Sequence, residues 1–339
     1  MNSNRFLIIR LSSIGDIILT TPLVRALRKA YPNSLIDYLV KEEFSELLLN
    51  NPHIDNVYTI DPGNGLKEIF RWRKKIKSYE YTSILDLHRS IRSILMTIWL
   101  GRFQLGKLNK KIFKRFVLVK FGINLFKKII PVTQRYFEAA NSCNLVDDGL
   151  GTELLHDGKI PKELTNVLGR KNIIVMAPGA GYFTKRWLPE YFAKLADKLI
   201  ENDNAELFLI GSKADREICG EIRKSMNNDV HDLSGIYTIL ETAAIINTSD
   251  AVVTNDTGMM HIAVSQKKPV LAFFGSTTEE LGFYPYSDKY RVLENKDLNC
   301  RPCSHVGRQN CPKGHFKCMQ ELSPELAYNS IINLMADKR

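Results

Sequence analysis

A chain of 339 residues, 44% apolar and 25% charged, is long enough for two domains that each bury a core, and reads as an ordinary soluble globular protein. No apolar run approaches a membrane span, and the opening MNSNRFLIIRLSS lacks the plan of a signal peptide, so a cytoplasmic protein is expected. The net charge of +10 is lopsided: residues 1–165 carry 26 Lys/Arg against 16 Asp/Glu, residues 166–339 carry 21 of each, and an anionic partner is expected to meet the first half.

In chain order, Arg5 to Arg10 is a first strand and LSSIGD at 11–16 the loop leaving it. Helical periodicity then runs from Ile17 to Ala30, with Leu19, Leu23, Ala26 and Leu27 on one face. Pro22 lies either in the first turn of a helix capped by Thr20 or Thr21, or at a kink in one begun at Asp16. Leu35 to Val40 is the second strand, so the chain opens a Rossmann-like domain with a right-handed βαβ unit. The loop has neither G-x-G-x-x-G spacing nor a Walker A motif, and Asp16 by itself reads as a helix cap.

Val57 to Ile60 and Ser83 to Leu87 are further strands, flanking a basic amphipathic helix at Leu66 to Lys77. The helix after Leu87 starts at a strand's carboxyl end and brings His88, Arg89 and Arg92 there, where an anion contact and a solvated helix start both fit. Gly101 to Lys128 is the most basic stretch, with Lys110, Lys111, Lys114 and Arg115 interleaved with Phe113 and Phe116. That mixture suits nucleic acid or an anionic membrane surface, and no nucleic-acid motif accompanies it.

Gly149 to Arg170 reads as an interdomain linker, placing domains at 1–165 and 166–339. Ile173 to Ala177 opens the second domain and leads into PGAGYFTKRWLPEYFAKL, whose glycines let backbone approach a ligand. Glu206 to Ile210 is the next strand, followed by a helix at Asp215 to Met226 with Glu217 near its start. Ala251 to Thr254, Asn255-Asp256-Thr257-Gly258, a helix at Met259 to Ser265 and a strand at Val270 to Phe274 form a βαβ unit with its polar loop at a strand's carboxyl end. Amides and the dipole at such a helix start favour an anion such as a diphosphate, although Asp256 in isolation would be a cap.

Four of the six cysteines fall in Cys300-x2-Cys303-x7-Cys311-x6-Cys318, with His305 and His315 between. Structural zinc and reduced thiols packed in a loop both fit that spacing. Cys143 and Cys219 read as buried apolar side chains.

Three of these stretches resemble glycosyltransferase family 9, the ADP-heptose:lipopolysaccharide heptosyltransferases. They are RLSSIGDIILTTPLVRALRKAYP at the amino terminus, Lys185-Arg186-Trp187-Leu188-Pro189, and the run from Asn255 through His261 and Ala263 to Phe274-Gly275-Ser276-Thr277. The resemblance implies an α/β protein of GT-B type, two Rossmann-like domains facing a cleft. It implies inverting transfer of heptose from ADP-heptose to the lipid A/inner-core acceptor of lipopolysaccharide, without a catalytic metal or other cofactor. Asp16 matches the family's general base, and Lys185, Glu217, Asp256, Thr257, Gly258 and His261 match donor contacts. The lysine segment carries one inserted residue, so Lys185 or Arg186 takes the phosphate. Ser13 and Arg92 fall at acceptor positions. Such an enzyme is expected at the cytoplasmic face of the inner membrane, docked through basic residues 101–128, with no nucleic-acid partner. The rival readings are a sugar-nucleotide epimerase on the same two-domain plan and a non-catalytic nucleotide- or glycan-binding protein.

Overall fold

The apolar runs pair into two wholly parallel sheets, in a computed structural model that describes residues 4–98, 100–101, 103–168 and 172–337. Part of the stretch expected to be a linker, 169–170, lies outside the described residues. Two compact units result, one built from 1–111 with 130–155 and the other from 112–129 with 156–339.

The first unit holds strands β1 (Arg5–Ile9), β2 (Leu35–Lys41), β3 (Asn56–Ile60), β4 (Ser83–Asp86) and β5 (Gln104–Lys107), in the order β3-β2-β1-β4-β5. Leu7, Ile8 and Ile9 of β1 and Ile84 and Leu85 of β4 are fully buried, as parallel strands covered on both faces require. The helical run after β1 is two helices, Ile14–Ile18 and Thr21–Ala30. Pro22 is the second residue of the latter, with Thr20 in the N-cap position, where its missing N–H costs no helix bond. Strand β5 and the helix Val132–Ala139 carry little sequence signal. At Gly106 of β5 an added Cβ would sit 2.3 Å from the Ala139 carbonyl oxygen, so the pairing depends on the glycine rather than on apolar alternation. Arg25 ties the far end of the unit, with ion pairs of 2.7 Å to both Asp148 and Glu153.

The second unit contains β6 (Ile173–Ala177), β7 (Glu206–Leu209), β8 (His231–Asp232), β9 (Ala251–Asn255), β10 (Val270–Phe273) and β11 (Tyr290–Leu293), in the order β11-β10-β9-β6-β7-β8. Its largest fully buried side chain, Trp187, stacks on Phe273 with ring centroids 4.0 Å apart. The basic helix Ile112–Phe121 groups with this unit and not with the sequence on either side of it. Its Leu118 is buried, and Asn124 just beyond donates to Glu280 at 3.0 Å. The crossover redistributes charge. By unit, the chain carries 19 Lys/Arg against 14 Asp/Glu in the first and 28 against 23 in the second, or +5 in each. The positive excess thus lies in residues 1–165 of the sequence but is shared equally by the two structural units.

Candidate active site

In both sheets the winding reverses beside the unit's first strand, at β1/β4 and at β6/β9. Loops leaving adjacent strands diverge at such a point, so the carboxyl ends there form the natural ligand crevice of each unit.

In the first unit, Arg10 at the end of β1 donates to the Leu87 carbonyl after β4 at 2.7 Å and to the Ser12 carbonyl at 2.8 Å. Fixed by these bonds, its guanidinium meets Asp16 Oδ1 at 2.6 Å. The other carboxylate oxygen accepts from the Ser13 hydroxyl at 3.0 Å, and Tyr136 reaches Oδ1 at 3.4 Å. Asp16 is the third residue of its helix and Ser13 occupies the N-cap position, so the carboxylate is not the cap that the sequence alone suggests. Burial lifts the Tyr136 phenol well above its usual range, and it stays a donor at all physiological pH. His88, after β4, is lowered to about 3 by burial and by the charges of Arg10 and Lys110, and its imidazole is neutral at pH 7. Asp86, fully buried, is spent on the local turn: it accepts from the amides of His88 and Arg89 and from the Ser93 hydroxyl. Of the two acceptor candidates, Ser13 joins Asp16, whereas Arg92 is exposed on the helix Ile91–Thr97.

In the second unit, buried Asn255 at the end of β9 cross-links the switch point. Its amide donates to the Pro178 carbonyl at 2.7 Å and its oxygen accepts from the Trp187 amide at 3.0 Å. That places the segment 178–187 against the start of the helix Gly258–Ser265. Lys185 Nζ then lies 2.7 Å from Asp256 Oδ2, and the Thr277 hydroxyl donates to the same oxygen at 2.7 Å. Arg186 turns the other way and donates to the Ala180 carbonyl at 2.8 Å. Thr257 is the N-cap residue but makes no side-chain cap bond. Its hydroxyl, with those of Ser276 and Thr278, is buried without a partner among the described residues. Of these three only Thr257 stands at the helix start, where an unbonded hydroxyl and the first-turn amides suit an oxygen-rich anion.

Gly258 opens that helix and His261 is buried within it, 4% exposed. Glu217 is exposed in the first turn of the helix Arg216–Ser225, which follows β7. Its neighbour Asp215 is more deeply engaged: a Cβ at Gly179 would fall 2.1 Å from Asp215 Oδ1. The glycine-rich turn is thus pressed onto a carboxylate, a close approach that only glycine allows.

Cys300, Cys303, Cys311 and Cys318 are free thiols lining one small cavity with His315, whose Nε2 is 3.9 Å from Cys300 Sγ. Burial pushes the Cys318 thiol up to about 12. No group of three His, Cys, Asp or Glu side chains among the described residues is spaced to hold a metal ion.

Reading single residues missed Arg10, Tyr136 and Asp215, and named Asn255 without a role of its own. Only Asn255 carried a signal, being the first residue of the NDTG string.

Comparison with known proteins bears on the same loops. Residues 69–313 match the model of glycosyltransferase family 9 (heptosyltransferase). The chain is 28% identical over 361 aligned residues to the lipooligosaccharide heptosyltransferase 2 of Haemophilus influenzae, covering 97% of this chain and 99% of that one. Among solved structures, a family 9 glycosyl transferase from Veillonella parvula superposes with a TM-score of 0.76 at 22% identity, over 99% of this chain and 98% of the other. The E. coli ADP-heptose lps heptosyltransferase II does so with 0.73 at 22% identity, over 98% and 99%. The fold is that of these GT-B proteins, two Rossmann-like units in tandem. Since the family match spans well over half of the residues, the chain belongs to glycosyltransferase family 9 and is a glycosyltransferase.

Proposed function

We propose that this enzyme moves a heptose from ADP-heptose onto the lipid A/inner-core acceptor of lipopolysaccharide, with inversion at the anomeric carbon. The observation that carries the reading is the Lys185–Asp256 pair at the start of the helix Gly258–Ser265, set at the switch point of the second sheet. There the ammonium and the first-turn amides converge on one place, which suits the diphosphate of a nucleotide sugar. The second unit is accordingly the donor domain, with Thr257, Gly258, His261 and Glu217 around the nucleotide, and the first unit is the acceptor domain.

In the reaction the acceptor hydroxyl oxygen attacks the anomeric carbon from the face opposite the diphosphate. A new C–O bond forms, the bond from carbon to the phosphate oxygen breaks, and ADP leaves with the electron pair. Asp16 takes the hydroxyl proton. Arg10, Ser13 and Tyr136 hold its carboxylate in one orientation, so no reorganisation is needed at that step. Lys185 meets the charge that builds on the departing ADP, a task that requires no cofactor.

A lipid acceptor puts the work at a membrane surface, here the cytoplasmic face of the inner membrane. No described helix is long and apolar enough to cross a bilayer. The helix Ile112–Phe121 instead turns apolar side chains outward: Ile112 and Phe113 are each 71% exposed, Phe116 57% and Phe121 62%. Outward phenylalanines among Lys114, Arg115 and Lys120 are the composition of an interfacial anchor on anionic lipid, and residues 101–128 are its extent.

Incubation with ADP-heptose, with and without the lipid acceptor, tests the assignment. Acceptor-dependent ADP release is expected. Isomerised sugar without acceptor, or binding with no turnover, would overturn it.

A further inference from the structure

The Cys-rich segment has no part in the transfer chemistry above, yet its backbone and one of its arginines are wired into both donor-side loops. Arg301 is almost wholly buried, its side chain 4% exposed. Its guanidinium donates to the carbonyls of Phe274, Gly275 and Thr277, which are three of the four residues linking β10 to the rest of the donor loop. A fourth bond goes to the Asn295 carbonyl, and Glu294 balances the charge at 2.8 Å. The same segment reaches the other loop through Arg308, whose amide donates to the Thr184 hydroxyl at 2.8 Å while its carbonyl accepts the Thr184 amide at 3.0 Å. The two loops are laced to each other as well. Ser276 donates its amide to the Thr184 carbonyl at 3.2 Å, and Cys303 donates to the Ser276 carbonyl at 3.1 Å. A Cβ at Gly275 would come within 2.7 Å of the Thr184 carbonyl oxygen, so the strands of this lacing are as close as backbone permits.

We infer that Arg301 is a positioning residue for the nucleotide-sugar site, holding the 274–277 loop so that Thr277 can fix Asp256 and, through it, Lys185. The inference rests on the reading of the second unit as the donor site. The chemistry asks for arginine. A planar fork of five N–H donors spans four carbonyls and a carboxylate from one buried point, whereas a lysine ammonium keeps the charge opposite Glu294 but has three donors on a single nitrogen. Thr277 is the next link: its carbonyl is held by Arg301 and its hydroxyl holds Asp256, 2.7 Å away. Arg301 touches neither Lys185 nor Asp256, so its effect is relayed by the loop.

The test is Arg301→Lys in the full chain, read by ADP affinity in calorimetry, by the KM values for donor and acceptor, and by amide hydrogen exchange. ADP affinity is expected to fall about tenfold, the scale of lost charge-assisted bonds, with the donor KM rising in step and the acceptor KM unchanged. Exchange should quicken at 274–278 and remain as in the parent at β6 and β7. Arg308→Ala, which leaves the backbone bonds to Thr184 in place, should bind ADP like the parent. If Arg301→Lys does not fold, Thr184→Val removes both hydroxyl bonds to the Arg308 backbone without changing shape, and a threefold or greater loss of ADP affinity is then expected. Parent-like ADP affinity in a folded Arg301→Lys, or in Thr184→Val where that variant stands in, overturns the positioning role alone. Quickened exchange throughout the unit would reduce Arg301 to a general core strut and overturn it too. A parent that binds no ADP overturns the donor-site reading, and this inference with it.

Discussion

Arg10–Asp16 in the first unit and Lys185–Asp256 in the second are ion pairs at the switch points, and the two are exposed in opposite senses. In the first unit the acid is the outer partner, with Asp16 18% exposed against 9% for Arg10. In the second the cation is outermost, with Lys185 16% exposed against 6% for Asp256. Burying the arginine leaves a carboxylate facing a ligand, as a proton acceptor requires. Burying the aspartate leaves an ammonium facing a ligand, as a diphosphate requires. In the proposed reaction the same device, a buried charge that aims its partner, serves proton transfer in one unit and anion binding in the other.

The sharpest way to break this contrast is Asp16→Asn. It keeps shape and hydrogen bonding but not basicity, so turnover should drop by about two to four orders of magnitude while ADP affinity stays as in the parent. Near-parent turnover would leave Asp16 a purely structural group. On the other side, Lys185→Ala should weaken ADP binding by about ten- to a hundredfold, the range for a charge-assisted phosphate contact. Asp256→Ala should cost less, because it disorients Lys185 without removing it, and Arg186→Ala least, since Arg186 bonds the Ala180 carbonyl. A ranking with Arg186 first would move the phosphate contact by one residue.

Net charge is the same in both units, but the basic stretch is divided between them. Lys110 and Lys111 lie in the first and Lys114 and Arg115 in the second, so the two pairs are best replaced by Gln separately. Each neutralised cation near an anionic vesicle should cost about 1 kcal/mol of binding. The Lys114/Arg115 variant, beside the outward phenylalanines, is expected to lose more in flotation with anionic vesicles at low salt. Equal, parent-like binding by both variants would make the helix a solvated face.

The smallest expected effect concerns pH. Folded His88 stays neutral down to about 3, whereas in the unfolded chain it protonates near its ordinary 6.5. Between those values the unfolded state binds the extra proton, so stability is lost as pH falls below about 6.5. His88→Asn should flatten that slope by up to about 1.4 kcal/mol per pH unit, measured as urea midpoints at pH 5 and 7.5. Parallel losses in parent and variant would show that His88 is solvated in the folded state.

The sequence by itself determined the parallel α/β plan, because runs such as Phe6 to Ile9 and Val252 to Thr254 alternate with amphipathic or capped helices. It also put the proposed site residues at strand ends, since Ser13 to Asp16 and Asn255 to Gly258 are local strings that follow β1 and close β9. Strand β5, whose QLGK has one aliphatic side chain, could not be read, because its place depends on Gly106 fitting under Ala139. The partners of the two aspartates were equally hidden. Arg10 reads as part of a strand and Tyr136 lies 120 residues beyond Asp16, and only the packing of β1 against β4 and the helix Val132–Ala139 joins them. Nor could the sequence say which of the two neighbouring cations meets Asp256: in the folded chain Lys185 pairs with it, while Arg186 bonds the Ala180 carbonyl. Tertiary structure alone also moved the basic helix Ile112–Phe121 to the second unit, because its buried Leu118 follows burial rather than chain proximity.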